Sequence, residues 1–208
     1  MAAPAVITTE TAVANHALQR IGRAVISDID TDTTKAGAAV NLIFSDTRDE
    51  VAVMLPWSSL ITRTAISTSA AADSAFAYKQ TLADTVLRVI NLTDISGTEK
   101  AGWRREGTTL YYDLASGYIR HIQRETTVVT WQPLFLAAFT ARLAAKTAFL
   151  LSGDKDLWLG MQQEYVSIMH TAVLIKAVEE HEDNMRIVAQ LDSQLARFFA
   201  AQGRRIVE

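Results

Sequence analysis

Residues 131–153, WQPLFLAAFTARLAAKTAFLLSG, are apolar nearly all round a helix, with Gln132, Arg142 and Lys146 as the main polar interruptions. A helix apolar on most sides is buried on most sides. The rest of the chain must therefore supply neighbours for several of its faces, and that requirement points to a helical bundle. Gly153 supplies a stop, and Asp154 a cap for the next helix.

The neighbours are legible as apolar stripes. Residues 10–21 predict a first helix, with Ala14, Leu18 and Ile21 at helical spacing and Gly22 as its stop. After the linker RAVISDIDTD, Asp32 or Thr33 is the expected cap of a second helix. Its stripe is Ala36, Val40, Ile43, Thr47, Val51 and Met54. Pro56 disfavours helical geometry at Leu55, so this helix ends there. Beyond Asp154, Leu157, Met161, Tyr165, Ile168, Ala172 and Ile175 form a further stripe. EEHEDN follows, then an amphipathic segment with Val188, Leu191, Leu195 and Phe198 on one face.

Between the helices the period changes from helical to two. Phe76, Tyr78, Gln80 and Leu82 alternate, and TVLRVINL and GWRREGTTLYYDLASGYIRHIQR follow. Turns are expected at Gly107 and Ser116-Gly117, with hairpin tips near Gly97 to Gly102 and Ser116-Gly117. The expected class is α+β: mainly a helical bundle, with a small antiparallel β subdomain inserted and a C-terminal helix or arm. Residues 1–60 and 130–182 form the two parts of the bundle, 61–129 the insertion, and 183–208 the C-terminal amphipathic segment.

Composition narrows the function. The net charge of −3 argues against a protein that coats nucleic acid. Without cysteine there is no disulfide framework, thiolate nucleophile or Cys-ligated zinc. The opening MAAPAVITTETAVANHAL lacks the basic and long apolar regions of a secretory signal, and an intracellularly made protein is expected. The longest uncharged run, Thr126 to Ala141, contains Pro133 and is shorter than the ~20 residues a membrane span needs.

Chemical motifs are weak. Asp28, Asp30 and Asp32 have the spacing that opens a calcium loop, but its sixth position is Thr33 and its twelfth Ala39 where glycine and glutamate are needed. A solvated acidic linker is the better account. His181 stands among Glu179, Glu180, Glu182 and Asp183 with no second histidine at useful spacing. His16, His121 and His170 are scattered, and GxSxG, HExxH and a phosphate loop are absent. Trp103, Tyr111, Tyr112 and Tyr118 beside Arg104, Arg105 and Arg120 could stack bases, although alternating strand aromatics more often build a sheet core or an interface.

Taken in order, these segments resemble the tail tubular protein A, or head-to-tail adaptor, family of short-tailed bacteriophages. The likeness begins at ALQRIGRAVISDIDTDTTKAGAAV and is sharpest at IFSDTRDEVAVMLPW, through Phe44, Arg48, Asp49, Pro56 and Trp57. It continues in FAYKQTLADTVLRVI, at Tyr78, Leu82, Asp84, Leu87, Arg88 and Val89, and in WRREGTTLYYD, YIRHIQR and PLFLAAFTARLAAKTAFLLSGD. It covers about residues 10–180. Ala83 stands where the family commonly has proline, and Leu55 where histidine often precedes Pro-Trp.

The resemblance implies a non-enzymatic structural protein of the virion, with no cofactor or metal. Identical subunits would form a ring, typically dodecameric, joining the portal protein to the tail nozzle protein. Genome DNA would pass through without sequence-specific binding. Ring interfaces are heterologous, and Arg48, Asp49 and Glu50 are expected at one, an ordinary solvated face being the alternative. Trp57 and Trp131 are expected in the core, Trp57 as a plug where the chain leaves for the insertion. Val188, Leu191, Leu195, Phe198 and Phe199, with Arg204 and Arg205, are expected to dock on the portal, although the pattern alone equally allows packing on the bundle. A cell-wall hydrolase and a DNA-binding accessory protein are the alternatives.

Overall fold

The computed structural model describes residues 7–67, 69–71 and 75–179. Among these residues four α-helices and two antiparallel sheets make an α+β fold. Helix α1 (Glu10–Arg20) starts where the Thr9 hydroxyl accepts from the Ala12 amide at 3.1 Å. Helix α2 (Lys35–Met54) is capped by Thr34, whose hydroxyl accepts from the Gly37 amide at 3.1 Å. The cap is thus neither Asp32 nor Thr33. The Asp32 carboxylate instead accepts from the amide and hydroxyl of Thr34 and from Ser27, which holds the capping residue in place.

The buried face of α2 is wider than the expected stripe: Ala36 and Ile43 pack against the core as expected, and further residues join it. Gly37, Val40, Phe44, Thr47, Arg48, Val51 and Ala52 are buried, while Met54 is 40% exposed. Phe44 decides this, because its ring meets Phe139 edge-on at 5.0 Å.

Helix α3 (Pro133–Ser152) packs against α1, α2 and α4 (Lys155–Glu179). By length and composition alone it would cross a membrane, but more than half of its apolar window is buried in the bundle. It ends at Gly153, whose φ of +64° places it in the left-handed region that closes a helix. Asp154 then accepts from the amides of Asp156 and Leu157 and starts α4.

The insertion forms two four-stranded sheets. The first has the order β1 (Ile61–Ala65), β8 (Gly117–Gln123), β4 (Val86–Asp94), β5 (Glu99–Lys100). The second has the order β2 (Ser69–Ala70), β3 (Tyr78–Thr81), β7 (Thr109–Tyr112), β6 (Trp103–Glu106). Strands β7 and β8 lie in different sheets, so Ser116-Gly117 carries the chain between sheets and is not a hairpin tip. A Cβ at Gly117 would stand 2.1 Å from the Thr93 carbonyl oxygen, which explains the glycine.

The first sheet is the middle layer. On β8, Ile122 joins the apolar cluster of the bundle while Ile119 joins the cluster shared with the second sheet. On β4, Leu87 and Ile90 pack toward the helices, and Val89 and Leu92 pack toward Leu110 and Tyr112. Alternation along β8, and the two register shifts in β4 that put Leu87 and Ile90 on one face and Val89 and Leu92 on the other, therefore join the helices and the second sheet into one body.

Candidate functional site

No catalytic constellation emerges from the described residues. What the fold does assemble is a line of charge through the bundle, centred on Arg48, Asp49 and Glu50 of α2. Arg48 is only 6% exposed. Its guanidinium reaches Glu10 of α1 at 3.2 Å and Asp49 at 3.2 Å. Asp49 in turn accepts from Arg124, just beyond β8, at 2.6 and 2.8 Å. Consecutive residues on a helix point about 100° apart, so Glu50 faces elsewhere. It accepts from Arg142 at 2.6 and 3.0 Å and pairs with Lys146, both on α3. Within the subunit all three residues are engaged in intramolecular pairs. They tie α1, α2, α3 and the exit of the β insertion together.

This line continues into α4. Arg142 donates to Gln162 Oε1 at 2.7 Å, and its guanidinium lies 5.4 Å from the Tyr165 ring centroid. Burial, reinforced by the Glu50 charge and opposed by Arg142, pushes the Tyr165 hydroxyl up to about 12. For Glu50, burial acts to raise the pKa, but the Lys146 and Arg142 contacts outweigh it and hold the carboxyl below its ordinary value. The Tyr165 hydroxyl and Gln162 Nε2 are buried without a protein partner, which is uncommon in a folded interior. Two cations on one carboxylate, with a neutral tyrosine beside them, form an ionic brace. A nucleophile or a general base at neutral pH would need a group poised to titrate there.

Trp57 is 2% exposed, and its indole nitrogen donates to the Val51 carbonyl at 2.9 Å. Its ring meets Phe135 at 5.5 Å, and Phe135 and Phe139 meet Trp131 at 5.2 and 5.5 Å. Both tryptophans thus sit in one aromatic cluster beneath the point where the chain turns into the β layers. Arg88 of β4 fixes the same junction by donating to the Val53 carbonyl at 2.5 Å. Beside it lies a groove of about 390 Å³ between Pro56 and Trp57, Pro133 and Leu134, and Ala172 and Ile175. Its cation, Lys176, donates to the Pro56 carbonyl at 3.0 Å. With few converging polar groups, the groove lacks the orienting set that a small polar ligand requires.

The remaining candidates separate in space. The Asp28 carboxylate accepts from Asp30 and Thr31, and Asp32 from Ser27 and Thr34, so the linker carboxylates serve turns and a cap. No group of three His, Asp or Glu side chains able to hold a metal occurs among the described residues. His16 lies beside the Arg20–Glu164 pair, His121 is buried in the middle layer, and His170 is exposed on α4. Of the base-stacking candidates, Tyr112 is buried and Arg105 is held by the carbonyls of Val86, Leu87 and Gly107. Tyr111 lies in the second sheet under Arg104, while Tyr118 and Arg120 lie in the first. These groups do not form one platform. Val188, Leu191, Leu195, Phe198, Phe199, Arg204, Arg205 and His181 lie outside the described residues.

The large apolar side chains left in solvent are further candidates for contact. Leu42 is 74% exposed and Phe149 63% exposed, with Leu150 beside Phe149. Sequence reasoning placed the interface in the charges of α2 because those were conspicuous. Leu42 is the residue after Asn41, which anchors to the Ile29 carbonyl, and it lies off the apolar stripe of α2 and so faces outward.

No family model matches the chain, and no curated protein matches it.

Proposed function

We propose that this chain is a structural head-to-tail adaptor of a short-tailed bacteriophage. It would act as a ring-forming subunit between the portal protein and the tail nozzle, with the genome passing through the ring. One observation carries the reading. The segment most similar to that family, residues 44–57, is also the mechanical junction of the fold. Arg48 holds α1, Asp49 holds Arg124 at the end of the β layers, and Trp57 sits in the aromatic cluster where the chain leaves the bundle. A subunit that transmits load between two partners needs its layers joined rigidly, and this junction joins them. The exposed Leu42, Phe149 and Leu150 are available to a heterologous contact, a role their exposure suits better than the buried Arg48.

The test is the mass of the particle formed by the full chain alone and with portal protein, measured by light scattering. The reading expects a multi-subunit ring that co-migrates with portal. A chain that keeps the mass of one subunit and elutes apart from portal overturns it.

A further inference from the structure

The apolar groove beside Trp57 lies where the described chain runs out. Its rim residues Ala172 and Ile175 are on α4, about two turns and one turn before Glu179, the last described residue. Ile175 is 41% exposed there, although the walls formed by Leu55 and Trp57 are almost fully buried. Pro56 and Pro133 have no amide hydrogen, so those positions make few polar demands on an occupant.

The sequence beyond α4 carries a matching ligand. Val188, Leu191, Leu195 and Phe198 are spaced three and four apart, the anchor pattern of a helix seated in an apolar groove. Residues 180–187 connect the two, and a chain reaches at most ~3.3–3.6 Å per residue, a limit that leaves the stripe within reach of Ile175. Tethering decides between occupants. A segment joined by so short a connection meets its own groove at an effective concentration on the order of millimolar, above that of any second copy in dilute solution.

We infer that the groove between Pro56-Trp57, Pro133-Leu134 and Ala172-Ile175 binds the apolar stripe of residues 188–198 of the same chain in the free subunit, with Leu191 and Leu195 as its central anchors. The proposal does not depend on the adaptor reading. It covers the exposed rim of Ile175 and gives the groove an occupant before any partner is present.

The chain contains no cysteine, so an introduced pair reports without background. In the full chain, Ile175→Cys is combined with Leu195→Cys and oxidised mildly at low concentration. A second pair, Ile95→Cys with Leu195→Cys, uses the exposed turn after β4 as control. The expected product of the first pair is an internal disulfide, seen as a faster-migrating monomer on a non-reducing gel, with no such band from the control. A disulfide-linked dimer means that the groove takes the segment of a second copy. The absence of any bond, with both thiols reactive, means that it does not take this segment. Either result overturns the inference. A second measurement avoids introduced thiols: Ile175→Asp, a change at an exposed rim position, should speed tryptic cleavage at Arg186 and Arg197. Unchanged cleavage rates in a folded variant would also count against it.

Discussion

Arg48, Asp49 and Glu50 are three consecutive charges on a helix that faces an apolar bundle, and each is satisfied by a different element. Partly buried charges are costly unless paired, and here pairing is what fixes the helices in register. Trp57 is the apolar counterpart, with its ring against Phe135 and its one polar atom bonded to the Val51 carbonyl. Trp57→Ala should cost about 3–5 kcal/mol through lost burial and a residual cavity. For a chain of this size that corresponds to a midpoint lower by roughly 6–20 °C, which thermal unfolding by circular dichroism will measure. His121 gives a pH-dependent prediction. Burial, with help from Arg105 and against the Ile119 carbonyl, lowers its pKa below the ordinary histidine value. The unfolded chain then binds more protons than the folded one in the window below about 6.5, so stability should be full above that pH and fall as the pH drops through the lowered value. The slope from this one group cannot exceed about 1.4 kcal/mol per pH unit. His121→Gln should flatten denaturant midpoints between pH 7 and 5 relative to the parent, and an unaltered slope would remove His121 as the cause.

At the scale of elements, the turn from β4 to β5 can be separated from the rest. Asp94 accepts from the amides of Ser96 and Thr98 and pairs with Lys100 at 3.0 Å, so the turn is organised by its own side chains. The Ser96 hydroxyl and Lys100 hold the Asp94 carboxyl well below the usual carboxylate range. Replacing residues 96–101 by a short Gly-Ser linker should leave the helical circular dichroism signal intact and weaken attachment to the tail, as assayed by co-sedimentation with nozzle protein. Normal attachment would exclude this turn as a contact. The contrast between elements explains what the sequence discloses. The helices were legible because their period is local: Leu18, Val40 and Tyr165 can each be placed from residues within two turns. The division of the strands between two sheets was not, because β8 follows β7 in sequence yet pairs with β1 and β4. The burial of Arg48 was not legible for the same reason. The residue looks like a surface charge until Glu10, 38 residues away, is brought beside it.

At the scale of the whole molecule, the question is whether the β insertion is a separate unit. Sequence alone suggests so, since residues 61–129 interrupt the bundle. The packing argues otherwise. The middle sheet gives one face to the helices through Ile122, Leu87 and Ile90 and the other to the second sheet through Ile119, Val89 and Leu92. Polar ties repeat the connection on both sides: Arg124 to Asp49 and Arg88 to the Val53 carbonyl toward the helices, and Arg105 to the carbonyls of Val86 and Leu87 toward the second sheet. Unfolding either outer layer would strip one face of the middle sheet and leave these charges without partners, which couples the layers energetically. Calorimetry should therefore record one cooperative transition whose van't Hoff and calorimetric enthalpies agree. Ile122→Ala, which trims the bundle side of β8, should lower that single midpoint without splitting it, at a cost of about 2–5 kcal/mol. Two resolved transitions, with only one of them moved by Ile122→Ala, would mean that the insertion folds on its own and that the junction at residues 44–57 is a tether and not a rigid joint.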